Sequence, residues 1–151
     1  MATQSEFDNS RNYVWRLFIT ANAKLLDRIG EKFSQAGLPS MDWYDVLLTL
    51  KESPDNRLRL SELAQKVLLS RSNLTHLVDR LEKAELLYRK RCPQDRRGTY
   101  AVLTETGLEM QQKMWSVYAD GIAEYFSCHL DDEEIEVMQR VFKRILEANC
   151  E

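Results

Sequence analysis

One short stretch of the chain carries small hydrogen-bonding side chains at helical spacing. Apolar residues recur on one side of it, at Leu74, Leu77, Val78 and Leu81. The opposite side then carries Arg71, Ser72, Thr75, His76 and Asp79. Side chains of these types near a helix N-terminus can pair with base edges in a DNA major groove. An ordinary solvated helix face has a similar composition, so the neighbouring elements must decide between the two interpretations.

The distribution of charge favours nucleic acid. The 151 residues carry a formal net charge of -3. Residues 57–100 hold eleven Lys and Arg against five Asp and Glu, a balance of +6, so the remainder carries -9. This asymmetry indicates a local polyanion-binding surface on an acidic body. Nucleic acid is the polyanion we expect, because its phosphates attract Lys and Arg whatever the base sequence.

The elements around this stretch form a recognisable order. Two short helical patterns with a tight break between them occupy residues 60–84, which is the helix-turn-helix arrangement. Residues 86–91 and 99–103 are rich in β-forming types and flank a turn with basic residues, so they predict a hairpin. Residues 57–60 could add a short strand.

Longer helices are predicted on both sides, at residues 10–36, about 41–52, about 104–128 and about 131–148. Gly37 is expected to end the first of them. N-caps are expected at Ser40, Ser61, Ser70, Thr104 and Asp131. The first and last helices have broad apolar faces without a partner of matching length in the chain. We therefore expect them to pair with a second copy.

Several classes of protein are disfavoured. No stretch reaches the roughly 18–20 apolar residues of a membrane span, and no signal peptide is visible. Cys92, Cys128 and Cys150 have no CxxC spacing, which fits a reducing cytoplasm. Catalytic motifs and metal-ligand spacings are also missing, so we expect no enzyme, cofactor or metal site. A helical adaptor that binds proteins remains the alternative, although it leaves the basic hairpin unexplained.

Residues 95–104, DRRGTYAVLT, resemble the wing signature D-x-R-x-x-x-x-x-L-T of the MarR family of winged helix-turn-helix regulators. Residues 77–89 are similar to the end of that family's recognition helix. The resemblance implies one mainly α domain over 1–151 with a small β-wing. In this family the dimerisation helices would be residues 10–37 and 104–149, and the DNA-binding lobe would be residues 40–103. Within that lobe the helix-turn-helix would span about 60–84 and the wing about 86–103.

The resemblance also implies a function. A homodimer of this kind binds a pseudo-palindromic site in double-stranded DNA, and we expect a repressor that a small molecule releases. DNA contacts are expected from Ser70, Arg71, Ser72, Asn73, Thr75, His76 and Arg80, and from Arg96, Arg97 and Thr99 in the wing. The family usually has Gly where Glu85 stands. Glu85 either adopts a left-handed conformation, at a cost of roughly 1 kcal/mol, or ends the helix differently.

An effector site is implied by a urate-responsive branch of the family. Trp15, Asp45 and Arg89 fall at the corresponding places, and His76 stands where that branch has Arg. The implied effector is small and anionic or aromatic. The alternative is that Trp15 belongs to the core and that Asp45 pairs with a wing-strand arginine.

Cys92 is a candidate for redox sensing. It lies among Arg89, Lys90, Arg91 and Arg96. Cations of this kind lower the pKa of a thiol and make it more reactive. The alternative is an incidental strand residue.

Overall fold

The computed structural model describes residue 6, residues 9–94 and residues 98–150. These residues form mostly helix together with a small sheet, as predicted. The elements are α1 (Ser10–Gln35), α2 (Met41–Lys51), β1 (Arg57–Arg59), α3 (Leu60–Lys66), α4 (Leu74–Lys83), β2 (Leu87–Arg91), β3 (Thr99–Leu103), α5 (Glu105–Tyr125) and α6 (Asp132–Ala148). Short 3-10 turns lie at Pro54–Asn56, Arg71–Asn73 and Ser127–His129.

Three helix ends confirm their sequence signals. Gly37 has a φ of 69°, and the amide of the next residue reaches back five residues to the Phe33 carbonyl at 2.9 Å, so α1 ends in a left-handed cap. The Thr104 hydroxyl accepts a hydrogen bond from the Gly107 amide at 2.9 Å and so caps α5. The Asp131 carboxylate accepts from the Glu134 amide at 2.8 Å and caps α6.

Ser40 occupies its predicted N-cap position without a capping hydrogen bond, and the predicted cap at Ser61 is wrong. The Ser40 hydroxyl precedes α2 but donates to the Asp42 carboxylate, and it makes no capping bond to a backbone amide. Ser61 lies inside α3, because that helix begins at Leu60 with Arg59 as its N-cap. The strand β1 runs directly into α3, so the helix starts one residue before the serine.

Glu85 takes the left-handed conformation. Its φ is 62°, and the Leu86 amide donates to the Leu81 carbonyl at 3.0 Å, which closes the end of α4. This confirms the first of the two outcomes expected where the family has Gly. This conformation costs a residue with a Cβ roughly 1 kcal/mol relative to glycine.

The sheet is antiparallel with strand order β1–β3–β2. Leu58 pairs with Ala101, and Leu87 pairs with Leu103. These four side chains are buried on the face of the sheet that contacts α2, α3 and α4. The strands therefore hold the β2–β3 hairpin, the wing, against the helices of the helix-turn-helix.

The chain divides into two compact units, and residues 29–119 form the larger one, which we call the lobe. Its fully buried side chains include Phe33, Val46, Leu47, Leu50, Leu63, Val67, Leu77, Val78, Leu81, Leu87 and Met114. The boundaries between the two units fall inside α1 and α5. The reason is that these helices contribute to the core of the lobe: the rings of Phe33 and Tyr118 lie 5.9 Å apart.

The second unit, residues 1–28 and 120–151, we call the arm. Within it the rings of Phe18 and Phe142 lie 5.6 Å apart, so α1 and α6 touch through aromatic side chains. Described residues of α6 include no buried side chain. Large apolar side chains of the arm are exposed at Tyr13, Val14, Trp15, Leu17, Phe18, Ile19, Val137, Val141, Ile145 and Leu146.

Candidate nucleic-acid interface

The helix α4 and the 3-10 turn before it present one continuous polar surface. Leu77, Val78 and Leu81 are buried against the core. The side chains expected to contact DNA are exposed at Arg71, Ser72, Asn73, Thr75, His76 and Arg80. The first three of these lie on the turn, because α4 itself begins only at Leu74. We call residues 71–80 the recognition segment.

Asp45 fixes the turn that leads into the recognition segment. It lies on α2 and is 8% exposed. Its carboxylate accepts hydrogen bonds from the Leu68 amide at 2.9 Å, the Leu69 amide at 2.6 Å and the Ser70 hydroxyl at 2.8 Å. Three donors on one buried carboxylate position the turn firmly, because an unpaired donor or charge there would be costly.

Ser70 is buried, although the contact with DNA expected of it requires an exposed side chain. Its side chain is 3% exposed, and its hydroxyl donates to Asp45 across 25 residues of sequence. Ser70 does precede the 3-10 turn, as predicted for an N-cap residue. Its hydroxyl makes no capping hydrogen bond, so that part of the prediction is wrong. The hydroxyl therefore supports the recognition segment from inside the lobe.

Arg89 joins the recognition segment to the wing. From β2 its guanidinium donates to Asp79 at 2.5 Å and to Glu82 at 2.9 Å, both on α4. Its backbone amide also donates to Glu82, at 2.8 Å. The hydrogen bond from Arg89 to Asp79 is the main cause of a raised pKa for the guanidinium. The expected alternative was a pair between Asp45 and a wing-strand arginine, but the bonds described for Asp45 go to residues 68–70 and those of Arg89 go to α4.

A groove of about 550 Å³ opens beside the recognition segment. Its walls combine apolar groups such as Ala64 and Leu74 with the cations Arg71 and Arg89 and with His76. Two of the four residues expected to bind an effector, His76 and Arg89, therefore meet here. Asp45 is not among the lining residues. Trp15 belongs to the arm and is 59% exposed, so placing it in the core of the single chain is wrong.

The described residues of the wing lie on both sides of residues 95–97. Thr99 is half-buried at the start of β3. Arg96 and Arg97 lie outside the described residues. Cys92 is 6% exposed, and its sulfur lies 3.9 Å from the Tyr100 hydroxyl oxygen, so little of the thiol faces solvent.

Sequence reasoning did not find the structural role of Asp45. The available signal was an acidic residue in the middle of an apolar helix face, between Tyr44 and Val46. A carboxylate in such a position requires buried donors. Neither periodicity nor spacing identifies those donors, because they lie more than twenty residues away.

Neither a metal site nor a membrane span is found among the described residues. No group of three or more His, Cys, Asp and Glu side chains there could hold a metal ion. Within residues 9–94 and 98–150, no helix is both long enough and apolar enough to cross a membrane.

A helix-turn-helix packed on a small sheet whose hairpin projects as a wing defines a winged helix-turn-helix protein. The family model described as MarR family matches residues 40–99. The regulator MhqR of Bacillus subtilis, described as an HTH-type transcriptional regulator, is 33% identical over 133 residues, which cover 86% of this chain and 89% of MhqR. The chain belongs to the MarR family of transcriptional regulators.

Solved structures agree with this assignment. The crystal structure of AbsC, a MarR family transcriptional regulator from Streptomyces coelicolor, superposes with a TM-score of 0.81 at 33% identity and covers 93% of this chain and 94% of AbsC. A second MarR family regulator from the same organism, crystallised in complex with DNA, also has a TM-score of 0.81 and 33% identity, covering 92% of this chain and 87% of that one.

Proposed function

We propose that this regulator acts as a homodimeric repressor that binds a pseudo-palindromic site in double-stranded DNA. The observation that carries the proposal is the exposed polar surface of the recognition segment, which Asp45 anchors on one side and Arg89 on the other. A preorganised reading surface loses little conformational entropy on binding. The DNA in the crystal structure of the Streptomyces relative supports the same assignment.

Base edges are read from the exposed turn and the first turn of α4. Ser72, Asn73, Thr75 and His76 carry short donors and acceptors suited to the major groove. Arg71 and Arg80 bind the flanking phosphates, where a cation contributes affinity without sequence preference. Ser70 contributes through the turn it supports, since its hydroxyl is bonded to Asp45.

The wing extends this contact into the neighbouring minor groove. Arg96 and Arg97 at the tip enter the groove, where narrow A·T-rich stretches attract Arg. Thr99 contacts the backbone beside them. The assignment of Arg97 rests on the sequence signature of the wing, and those of Arg96 and Thr99 rest on their places beside it in the sequence.

Dimerisation explains the exposed apolar residues of the arm. Val14 is 62% exposed, Ile145 50% and Leu146 70% in the single chain. Large exposed apolar patches mark interaction sites. A second copy covers this surface, and the two-fold axis of the dimer then requires two related half-sites about one helical turn apart.

An effector site fits the groove beside the recognition segment. Arg71, His76 and Arg89 offer positive charge or hydrogen bonds to a small anionic, aromatic ligand, while Ala64 and Leu74 contact its ring. A ligand bound in this groove would contact residues that also face DNA, so ligand and operator compete for the same surface. Trp15 and Asp45 stay predictions as ligand contacts, and the Asp45 carboxylate would have to give up bonds to the turn. Redox sensing at Cys92 also stays a prediction. The burial of its thiol disfavours it, because an oxidant would have little access.

We place the protein in the cytoplasm as a non-enzymatic factor without a cofactor, because its proposed partner is double-stranded DNA and its relatives are transcriptional regulators. A helical adaptor for protein partners is the competing function. It would use the exposed apolar residues of the arm and leave the recognition segment without a role.

The test is selection of bound sequences from a randomised duplex pool, followed by titration of the selected site at several salt concentrations. The proposal predicts enrichment of a two-fold-related site, one dimer per site, and an affinity that falls steeply as salt rises. Failure to bind any duplex at low salt would overturn it and favour the adaptor.

A further inference from the structure

The sheet of the wing has an outer face that the recognition segment does not use. Alternate residues of a strand face opposite sides. Since Leu58, Ala101 and Leu103 are buried towards the helices, their neighbours face outwards. The outward residues form two rows across the paired strands: Arg59, Tyr100 and Lys90 in one, and Arg57, Val102 and Tyr88 in the other. We call these six residues the outer wing face.

The cations of this face are organised by an aromatic ring. The guanidinium carbon of Arg57 lies 4.9 Å from the centroid of the Tyr100 ring, and that of Arg59 lies 5.9 Å from it. Stacking of this kind holds a guanidinium in place while its N–H groups can still donate to an anion. Lys90 and Tyr88 are exposed on the neighbouring strand β2.

The outer wing face is positively charged. Its six side chains include three cations and no carboxylate. Glu62, on α3, lies 4.0 Å from Arg59, with the two side chains 48% and 41% exposed. An exposed ion pair at that distance contributes little and can give way to another anion. The face therefore attracts a polyanion.

The spacing suits phosphates of a duplex. Strands β1 and β2 lie on either side of β3, so the backbones that carry their cations are about 10 Å apart. Each strand of a duplex carries one phosphate per about 3.4 Å of helix axis, so cations at this separation can bind different phosphates of the same stretch.

We propose that the outer wing face binds the phosphates of duplex DNA that flanks the operator. This inference rests on the proposed DNA binding. Lys90 pairs with Tyr100 close to the end of the hairpin, and Arg96 and Arg97 belong to the sequence that connects its strands, so a duplex bound by those arginines would be near Lys90 and Tyr100. Because DNA is brought to this place by the wing itself, we favour it over an acidic protein surface as the occupant.

The test compares two duplexes that carry the same selected operator, one ending at the site and one with about ten extra base pairs on each side. The variant Arg57→Gln/Lys90→Gln removes two cations of the outer wing face and leaves the recognition segment intact. The matched control Lys113→Gln/Lys143→Gln removes two exposed cations from α5 and α6. Binding is measured over a range of salt concentrations, with thermal unfolding and sedimentation to verify the fold and the dimer.

The parent protein is expected to bind the long duplex more tightly and with a steeper salt dependence than the short one. Arg57→Gln/Lys90→Gln should lose that difference, with a salt slope on the long duplex shallower by about 2 to 4 for the dimer, and change affinity for the short duplex less than about twofold. The control should keep the difference.

Equal losses on both duplexes, or a long-duplex slope that matches the control, would overturn the inference and point instead to another occupant such as an acidic protein. Failure of the parent protein to bind either duplex would be a failure of the proposed function itself, so the two failures are distinguishable.

Discussion

The lobe and the arm differ in how they use apolar residues. In the lobe, side chains such as Leu47 and Leu81 are fully buried within one chain. In the arm, Trp15 and Leu146 are 59% and 70% exposed, although their helices are as regular as those of the lobe. Amphipathic helices form in both units, but only the lobe buries their large apolar side chains fully within one chain. We therefore expect the stability of the lobe to be intrinsic, and that of the arm to depend on a second chain.

The largest effect should come from opening the core of the lobe. Leu47→Ala removes a fully buried side chain of α2 and leaves a cavity, which should lower the free energy of unfolding by about 3 kcal/mol. Denaturant titration would measure this loss, and it should not depend on protein concentration. A loss below about 1 kcal/mol, or one that vanishes at high concentration, would contradict an intrinsically stable lobe.

A somewhat smaller effect is expected at the anchor of the recognition segment. Asp45→Ala leaves the amides of Leu68 and Leu69 and the Ser70 hydroxyl without their acceptor, which should cost about 2 kcal/mol of stability. Affinity for the selected operator should fall as well, because the turn loses its fixed position. Asp42→Ala on the same helix is the control, since the carboxylate of Asp42 bonds to neighbours in sequence. Unaltered stability and operator affinity in Asp45→Ala would remove the anchoring role.

In the arm the effect should appear as dimer affinity. Ile145→Ala removes apolar surface that is half exposed in one chain, with an expected loss of about 1 kcal/mol per protomer. Because a two-fold dimer uses the residue twice, its Kd should rise roughly 30-fold. Sedimentation equilibrium would measure the shift, with Leu68→Ala as an exposed leucine of the lobe that should leave the dimer unaltered. A dimer Kd equal to that of the parent protein would place the interface elsewhere.

A gain of stability is expected at the end of α4. Glu85→Gly relieves the left-handed conformation at φ 62°, and should raise the free energy of unfolding by about 0.5–1 kcal/mol. Ala84→Gly, one residue earlier and in right-handed geometry with φ -80°, should lower it instead. Thermal and denaturant unfolding of the pair would show opposite signs, and loss of stability in both variants would contradict the strain at Glu85.

Local signals predicted much of the fold. The helix ends at Gly37, Thr104 and Asp131 depend on bonds to residues within a few positions, so spacing was sufficient to find them. Ser70 had the same local signal, but its hydroxyl bonds to Asp45, which is 25 residues away. A template that considers only near neighbours cannot anticipate a competing partner supplied by the tertiary fold.

The candidate site shows the same division. The exposed face of α4 followed from periodicity, because burial of Leu77 and Leu81 determines which residues face outwards. The contacts of Arg89 with α4 did not, since they depend on how β2 lies beside the helix. Local pattern predicted which residues could read DNA, and the tertiary contacts explain how they are held.

The central claim is that the recognition segment reads base sequence, and the most direct measurement is the ratio of operator affinity to affinity for a scrambled duplex of equal length. Thr75→Ala/His76→Ala should lower operator affinity about 10-fold to 100-fold and leave affinity for scrambled DNA within about twofold. Arg80→Ala, which removes a proposed phosphate contact, should weaken both to a similar extent. The claim would be contradicted if Thr75→Ala/His76→Ala had the same affinity ratio as the parent protein.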